Sequence, residues 1–192
     1  MRHQRMVEGK SIVPGVRFYT EVDTNLKPGR LDDATYALAQ SSFPVLGLDI
    51  MPYSRSENKV YLGWRIAKPM ENQWWTIGGR IRFGQTEAEG ARSIFKRETK
   101  QDLDTDRLEY FTMVHSFMKN REQEPNDVGS HSFSFNFGIE VTAEEIEKIG
   151  AGLDPKEYKK GKGMRAFSIE ELEGEDEVQP IVLEMAKWCL WI

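Results

Sequence analysis

The feature that most constrains this chain is a pair of apolar runs, residues 44–53 and 59–67, separated only by Ser54-Arg55-Ser56-Glu57-Asn58. Both carry β-branched and aromatic residues and end at turn formers, so they predict two strands joined by that polar turn. A third apolar run, Trp74-Trp75-Thr76-Ile77, stops at Gly78-Gly79. Two longer strands are predicted at 108–118 and 131–141, split by the polar loop 119–129, and a short one at 164–167. Helical patterning lies between them. Thr86 opens a segment to about Gln101, Thr142 with Glu145 forms a capping box for a helix to about Ile149, and Ser168 with Glu171 opens a further capped turn. Strands interleaved with helices predict an α/β or α+β sandwich.

The 192 residues, 39% of them hydrophobic, suffice for one compact core. A net charge of −5 argues against a protein that coats nucleic acid, which needs a basic surface. The single cysteine, Cys189, excludes an internal disulfide. No run approaches the ~20 apolar residues of a membrane span, and no apolar signal core follows the basic residues 1–5. The expectation is a cytoplasmic protein without a nucleic-acid or membrane partner.

Residues 1–40 read as an arm, with turn formers around one strand-like run at 16–22 and a short helix capped by Asp32-Asp33 and ending near Gln40. Residues 41–192 then form the main domain. It closes with a helix at about 177–191 that carries Ile181, Val182, Met185, Trp188, Cys189 and Ile192 on one side, a stripe suited to core or to a dimer seam. Lys156, Lys159, Lys160 and Lys162 put four positive charges into seven residues of an otherwise acidic chain. Such a loop either clamps an anion such as a diphosphate or forms a soluble flexible lid.

At 100° per residue the 86–101 helix aligns Ala91, Ile94 and Phe95, and Glu98 falls between the last two. An acid on that stripe faces the core. Unpaired and ionised there it would cost several kcal/mol, so it needs a cation, a metal or many donors. Arg92 or Arg97 could reach round to satisfy it, the helix end could be exposed, or the acid could ligate a metal. Gly78-Gly79-Arg80 stands a short loop upstream, 81–85, and a glycine pair lets main-chain groups approach a ligand closely.

The segment 79–100 resembles a degenerate Nudix box. Gly79, Phe95 and Glu98 match the pattern, while Gln85, Ser93, Ile94, Arg97 and Lys100 replace its remaining fixed residues. Over about residues 40–170 the chain is similar to the GDP-mannose mannosyl hydrolase branch of that superfamily. The similarity runs through Val45-Leu46-Gly47-Leu48-Asp49, Tyr61-Leu62-Gly63-Trp64-Arg65 and Trp74-Trp75-Thr76-Ile77-Gly78-Gly79-Arg80, and loosely through His115 and His131. It implies a Nudix-like α/β/α sandwich around a mixed sheet, and a Mg²⁺-dependent hydrolase of a nucleotide sugar that releases a nucleoside diphosphate and the free sugar. Glu98 and a main-chain carbonyl of Gly78 or Gly79 would hold one Mg²⁺. Arg65 and Arg80 would neutralise the departing diphosphate, and Asp49 would orient the sugar end or offset positive charge developing at its C1; Lys160 of the lysine-rich loop is a further substrate-binding candidate by its charge. A homodimer is also implied.

The resemblance breaks at 154–163, where the branch places a glutamine and a catalytic histidine and this chain has neither. An imidazole base would have to come from elsewhere, His131 being the candidate, or Glu157 would serve as a carboxylate base. The missing histidine, with Gln85 and Ser93, also suits a Nudix-fold binding or regulatory module without catalysis. Cleavage of the diphosphate itself is disfavoured, because the box keeps too few carboxylates for several metals.

Overall fold

The structure, a computed structural model, describes residues 6–21, 26 and 29–191. Met1–Arg5, Val22 and Ile192, used in the sequence expectations, lie outside them. Among the described residues, nine strands and five helices follow in the order β1 (Met6–Gly9), β2 (Phe18–Glu21), α1 (Asp33–Ser42), β3 (Val45–Ser54), β4 (Lys59–Arg65), β5 (Gln73–Trp75), β6 (Ile77–Arg80), α2 (Glu87–Thr99), β7 (Leu108–Met118), β8 (Ser130–Glu140), α3 (Ala143–Gly152), β9 (Met164–Phe167), α4 (Ile169–Glu173) and α5 (Pro180–Trp191). A 3-10 turn, Thr105–Arg107, precedes β7.

β3 and β4 pair only beside their turn, Tyr53 with Val60 and Ser54 with Lys59, and then splay apart. One stretch of chain fills the fork. β5 pairs with β4, β6 pairs with β3, and Thr76 is the crossing point between them. The expected single run 74–77 is therefore two strands with different partners. The second continues through the glycines, Gly78 opposite Asp49 and Gly79 opposite Leu48. Glycine offers no side chain to an alternating pattern, so the sequence reads there as the end of a strand. The glycines are needed for space: a Cβ at Gly78 would strike the Asp49 carboxylate, and one at Gly79 would strike the Arg97 guanidinium.

Beyond the fork β8 runs parallel to β3 and antiparallel to β7, and β9 lines the far side of β4, giving a seven-stranded mixed sheet. Alternation sends Leu48, Ile50, Ile77, Phe135 and Phe137 to one face, under Ala91, Ile94 and Phe95 of α2 and Ile149 of α3. Met51, Tyr53, Val60 and Leu62 point to the other, under Leu172 of α4 and Val182, Met185, Ala186 and Cys189 of α5. This is the expected α/β/α sandwich. Val182, Met185 and Cys189 of the terminal stripe are buried in the chain's own core. α5 starts at Pro180 rather than near residue 177, because proline's fixed φ and missing N–H suit a first helical position.

The arm holds two paired strands, β1 and β2, where one was expected. Between them Val13 is buried against the α2-side core. Asp32 caps α1 by accepting from the Thr35 amide. The lysine-rich segment is not an open lid at its start. The Ile66 amide donates to the Glu157 carbonyl and the Lys159 amide to the Trp64 carbonyl, both at 2.9 Å, so 157–159 continues the edge of β4. No helix among the described residues is long and apolar enough to cross a membrane.

Candidate functional site

The site is built on the last turn of α2. A capping box of Thr86 and Glu89 fixes the start of this helix, and Glu87 and Glu89 in the first turn favour its dipole. Its far end is fixed by backbone contact with α3. The Asp154 amide donates to the Glu98 carbonyl at 2.8 Å, and Gly152 lies so close to the Thr99 carbonyl that no Cβ fits. Clamped in this way, Glu98 points inward and is 0% exposed.

Arg97 answers the charge. Its Nε and Nη2 both stand 2.7 Å from Glu98 Oε1, and the guanidinium lies in the space that the missing side chain of Gly79 leaves. Glu98 Oε2 has no hydrogen-bond partner among the described residues. Burial pushes the Glu98 carboxyl above the ordinary range. Arg97 opposes the shift, nearby Glu157 adds to it and Arg65 lowers it again. Arg92 is not involved, because its Nη2 donates to Thr105 Oγ1 at 2.7 Å.

A second ion pair flanks the first. Arg65, at the end of β4, contacts Glu157 at 3.0 Å, with the side chains 13% and 27% exposed. Tyr158 pins this pair to the fork. Its ring covers Gly63, where a Cβ would meet it, and its hydroxyl donates to the Thr76 carbonyl at 2.9 Å. Burial drives the phenol far above its usual pKa, so it remains a neutral donor. An aromatic residue amid lysines was the only sequence sign of this anchor.

The sheet divides the remaining expected residues. Gly79 faces Arg97 and α2, whereas Asp49 and Gly78, facing each other across the β3–β6 pair, point to the opposite face. Asp49 accepts from Trp75 Nε1 and Thr76 Oγ1, each at 3.3 Å, and the Ser134 hydroxyl adds a further donor. Burial still raises its pKa. Arg80 follows Asp49's side by alternation and stacks its guanidinium 3.7 Å from the ring centroid of Tyr36 in α1. Burial lowers its pKa, and the charges of Glu122 and Glu157 partly compensate.

His131 lies on the β7–β8 hairpin, stacked on Phe117 at 4.3 Å and tilted against Phe133 at 5.4 Å. Among the described residues no hydrogen bond or ion pair joins it to Asp49, Arg65, Arg80 or Glu98. Lys160 is exposed, while Lys162 places its Nζ 4.3 Å from the ring centroid of Trp64. The structure thus groups Gly79, Glu98 and Arg65 with Arg97 and Glu157. Asp49 and Gly78 lie on the other face, yet the Arg65 charge still reaches Asp49 and the charges of Arg97 and Glu157 reach Arg80, while His131 lies apart.

With Arg97 seated over Gly79 and on Glu98 Oε1, the place beside this acid already holds a guanidinium. Mg²⁺ is usually bound by one or two carboxylates, with waters and phosphate oxygens completing its shell, and here Glu98 would be the one carboxylate, since among the described residues no three His, Cys, Asp or Glu side chains converge. What the group can do is present guanidinium donors to an anion beside a carboxylate. Arg97 spends only its Nε and Nη2 edge on Glu98, and its side chain is 38% exposed.

Solved structures similar to this chain include MutT and NUDIX proteins. A MutT NUDIX hydrolase from Burkholderia pseudomallei aligns with a TM-score of 0.54 and 12% identity over 77% of this chain and 98% of that one. NrtR from Shewanella oneidensis gives 0.51 and 13% over 75% and 62%, and a MutT protein from Methanosarcina mazei Go1 gives 0.50 and 11% over 76% and 92%. At these identities the likeness shows the fold: the chain has the Nudix fold. No family model matches it, and no curated protein matches its sequence.

Proposed function

We propose that this Nudix-fold protein hydrolyses a nucleoside-diphosphate derivative, with arginines meeting the diphosphate. A nucleotide sugar of the GDP-mannose type is the substrate that the sequence resemblance implies. The observation that carries this reading is the pairing of two guanidinium groups, Arg65 and Arg97, with the carboxylates Glu157 and Glu98 at the end of α2. Guanidinium groups hold phosphate oxygens in fixed geometry and stabilise the charge that a departing diphosphate gathers. In the reaction water adds to sugar C1, the C1–O bond breaks with its electrons to the nucleoside diphosphate, and the proton of water passes to Glu157. Glu157 suits that role because it is partly open to solvent while Arg65 fixes its orientation.

A panel of nucleotide sugars, incubated with and without a chelator, tests this reading. Release of nucleoside diphosphate and free sugar is the expected result; monophosphate products would mean attack at phosphorus instead. The ion pair between Glu98 and Arg97 favours a second reading, a binding module without catalysis. Calorimetric binding of a nucleotide sugar with no product from any member of the panel would select it.

A further inference from the structure

We infer that Arg97 is the built-in cation of this site, so that a nucleoside diphosphate binds here without a divalent metal. The inference rests on the proposal that diphosphate derivatives bind at the end of α2, and it names the charge that receives them. Three features place Arg97 in that role. Its guanidinium occupies the space over Gly79, between the strand and the inward acid of the helix, where a larger residue at position 79 would exclude it. Glu98, with no exposure to water, holds it through two contacts on one oxygen. Those contacts consume one edge of the guanidinium and leave Nη1 without a hydrogen bond among the described residues, on a side chain still 38% exposed. A fixed, partly exposed guanidinium edge can bind a phosphate oxygen with little loss of entropy, because Glu98 has already ordered it. Arg65, braced by Glu157, supplies the second guanidinium, and Lys159 and Lys160, exposed and two and three residues after Glu157, add positive charge to this part of the chain.

Calorimetry with GDP as the probe decides the matter. Wild-type protein should bind GDP in chelator and in millimolar Mg²⁺ with affinities equal within about twofold, and Mn²⁺ titrated alone should show no uptake. Arg97→Ala should weaken binding in chelator by about tenfold or more, equivalent to one charge-assisted contact, and Arg97→Lys should retain part of it. Mg²⁺ should then improve binding by the Ala variant, whose Glu98 is freed. Melting curves identify a variant that fails to fold, in which case the wild-type metal comparison alone decides. GDP binding by wild type only when Mg²⁺ is present, Mn²⁺ uptake lost in Glu98→Gln, or undiminished binding by a folded Arg97→Ala would each overturn the inference. So would no GDP binding under either condition. Metal-free GDP binding without turnover of any nucleotide sugar would sink the hydrolase reading and leave this inference standing.

Discussion

Glu98 shows how far a single residue can be read from sequence. Helical spacing alone places its carboxylate toward the core, and the structure buries it there completely. Spacing did not decide among the possible partners, because Arg97 is adjacent in sequence and points elsewhere on an ideal wheel; only its long, flexible stem lets it turn back over Gly79. Asp49 is a contrasting case. Its place on a strand and its side opposite Leu48 and Ile50 were legible from alternation, but which face α2 covers depends on distant packing that residue patterns do not encode. Two predictions belong at this scale. Tyr158→Phe removes the buried donor to the Thr76 carbonyl and should cost about 1–3 kcal/mol, read as a lower midpoint in urea. For Asp49, burial raises the folded pKa, so the folded state binds its proton more tightly than the unfolded chain does. Its ionisation therefore destabilises the fold as pH climbs from the ordinary carboxylate range through the raised value. Asp49→Asn should gain stability over wild type at pH 7, with the gain shrinking toward pH 4 in paired urea titrations.

Among the elements, those with local signals were legible and those defined by a partner were not. The capping boxes at Thr86, Thr142 and Ser168 each satisfy backbone donors within four residues, so helix starts could be read closely. The divide between β5 and β6 at Thr76 could not, because it arises where β3 and β4 splay, more than ten residues away in sequence. β1 went unread because it is short and depends on β2 for pairing. The junction of α2 with α3 is equally nonlocal, and it carries a prediction. Gly152→Ala would press a Cβ into the Thr99 carbonyl, backbone against backbone, with no side chain free to yield. It should cost about 1–3 kcal/mol, the usual range for overpacking, and speed amide exchange at Asp154, whose N–H closes the end of α2. A melting curve and hydrogen exchange check both parts.

At the scale of the whole molecule, two apolar cores share one sheet. Ile94 anchors the first and Met185 the second, and neither packs within the other's cluster. Ile94→Ala and Met185→Ala should each cost about 2–5 kcal/mol, and the double variant should show their sum within ~0.5 kcal/mol, as for separated sites. The alternation of strands and helices made this architecture readable before any coordinates, since an amphipathic helix can only bury its stripe against a sheet face. What the sheet holds at the end of α2 decides how the molecule handles its ligand. A crystal soaked with GDP and Mn²⁺ addresses that directly through anomalous scattering. We expect phosphate oxygens against the guanidinium groups of Arg97 and Arg65 and no manganese peak within bonding distance of Glu98. A manganese ion bound to Glu98, with Arg97 swung away from Gly79, would contradict the account.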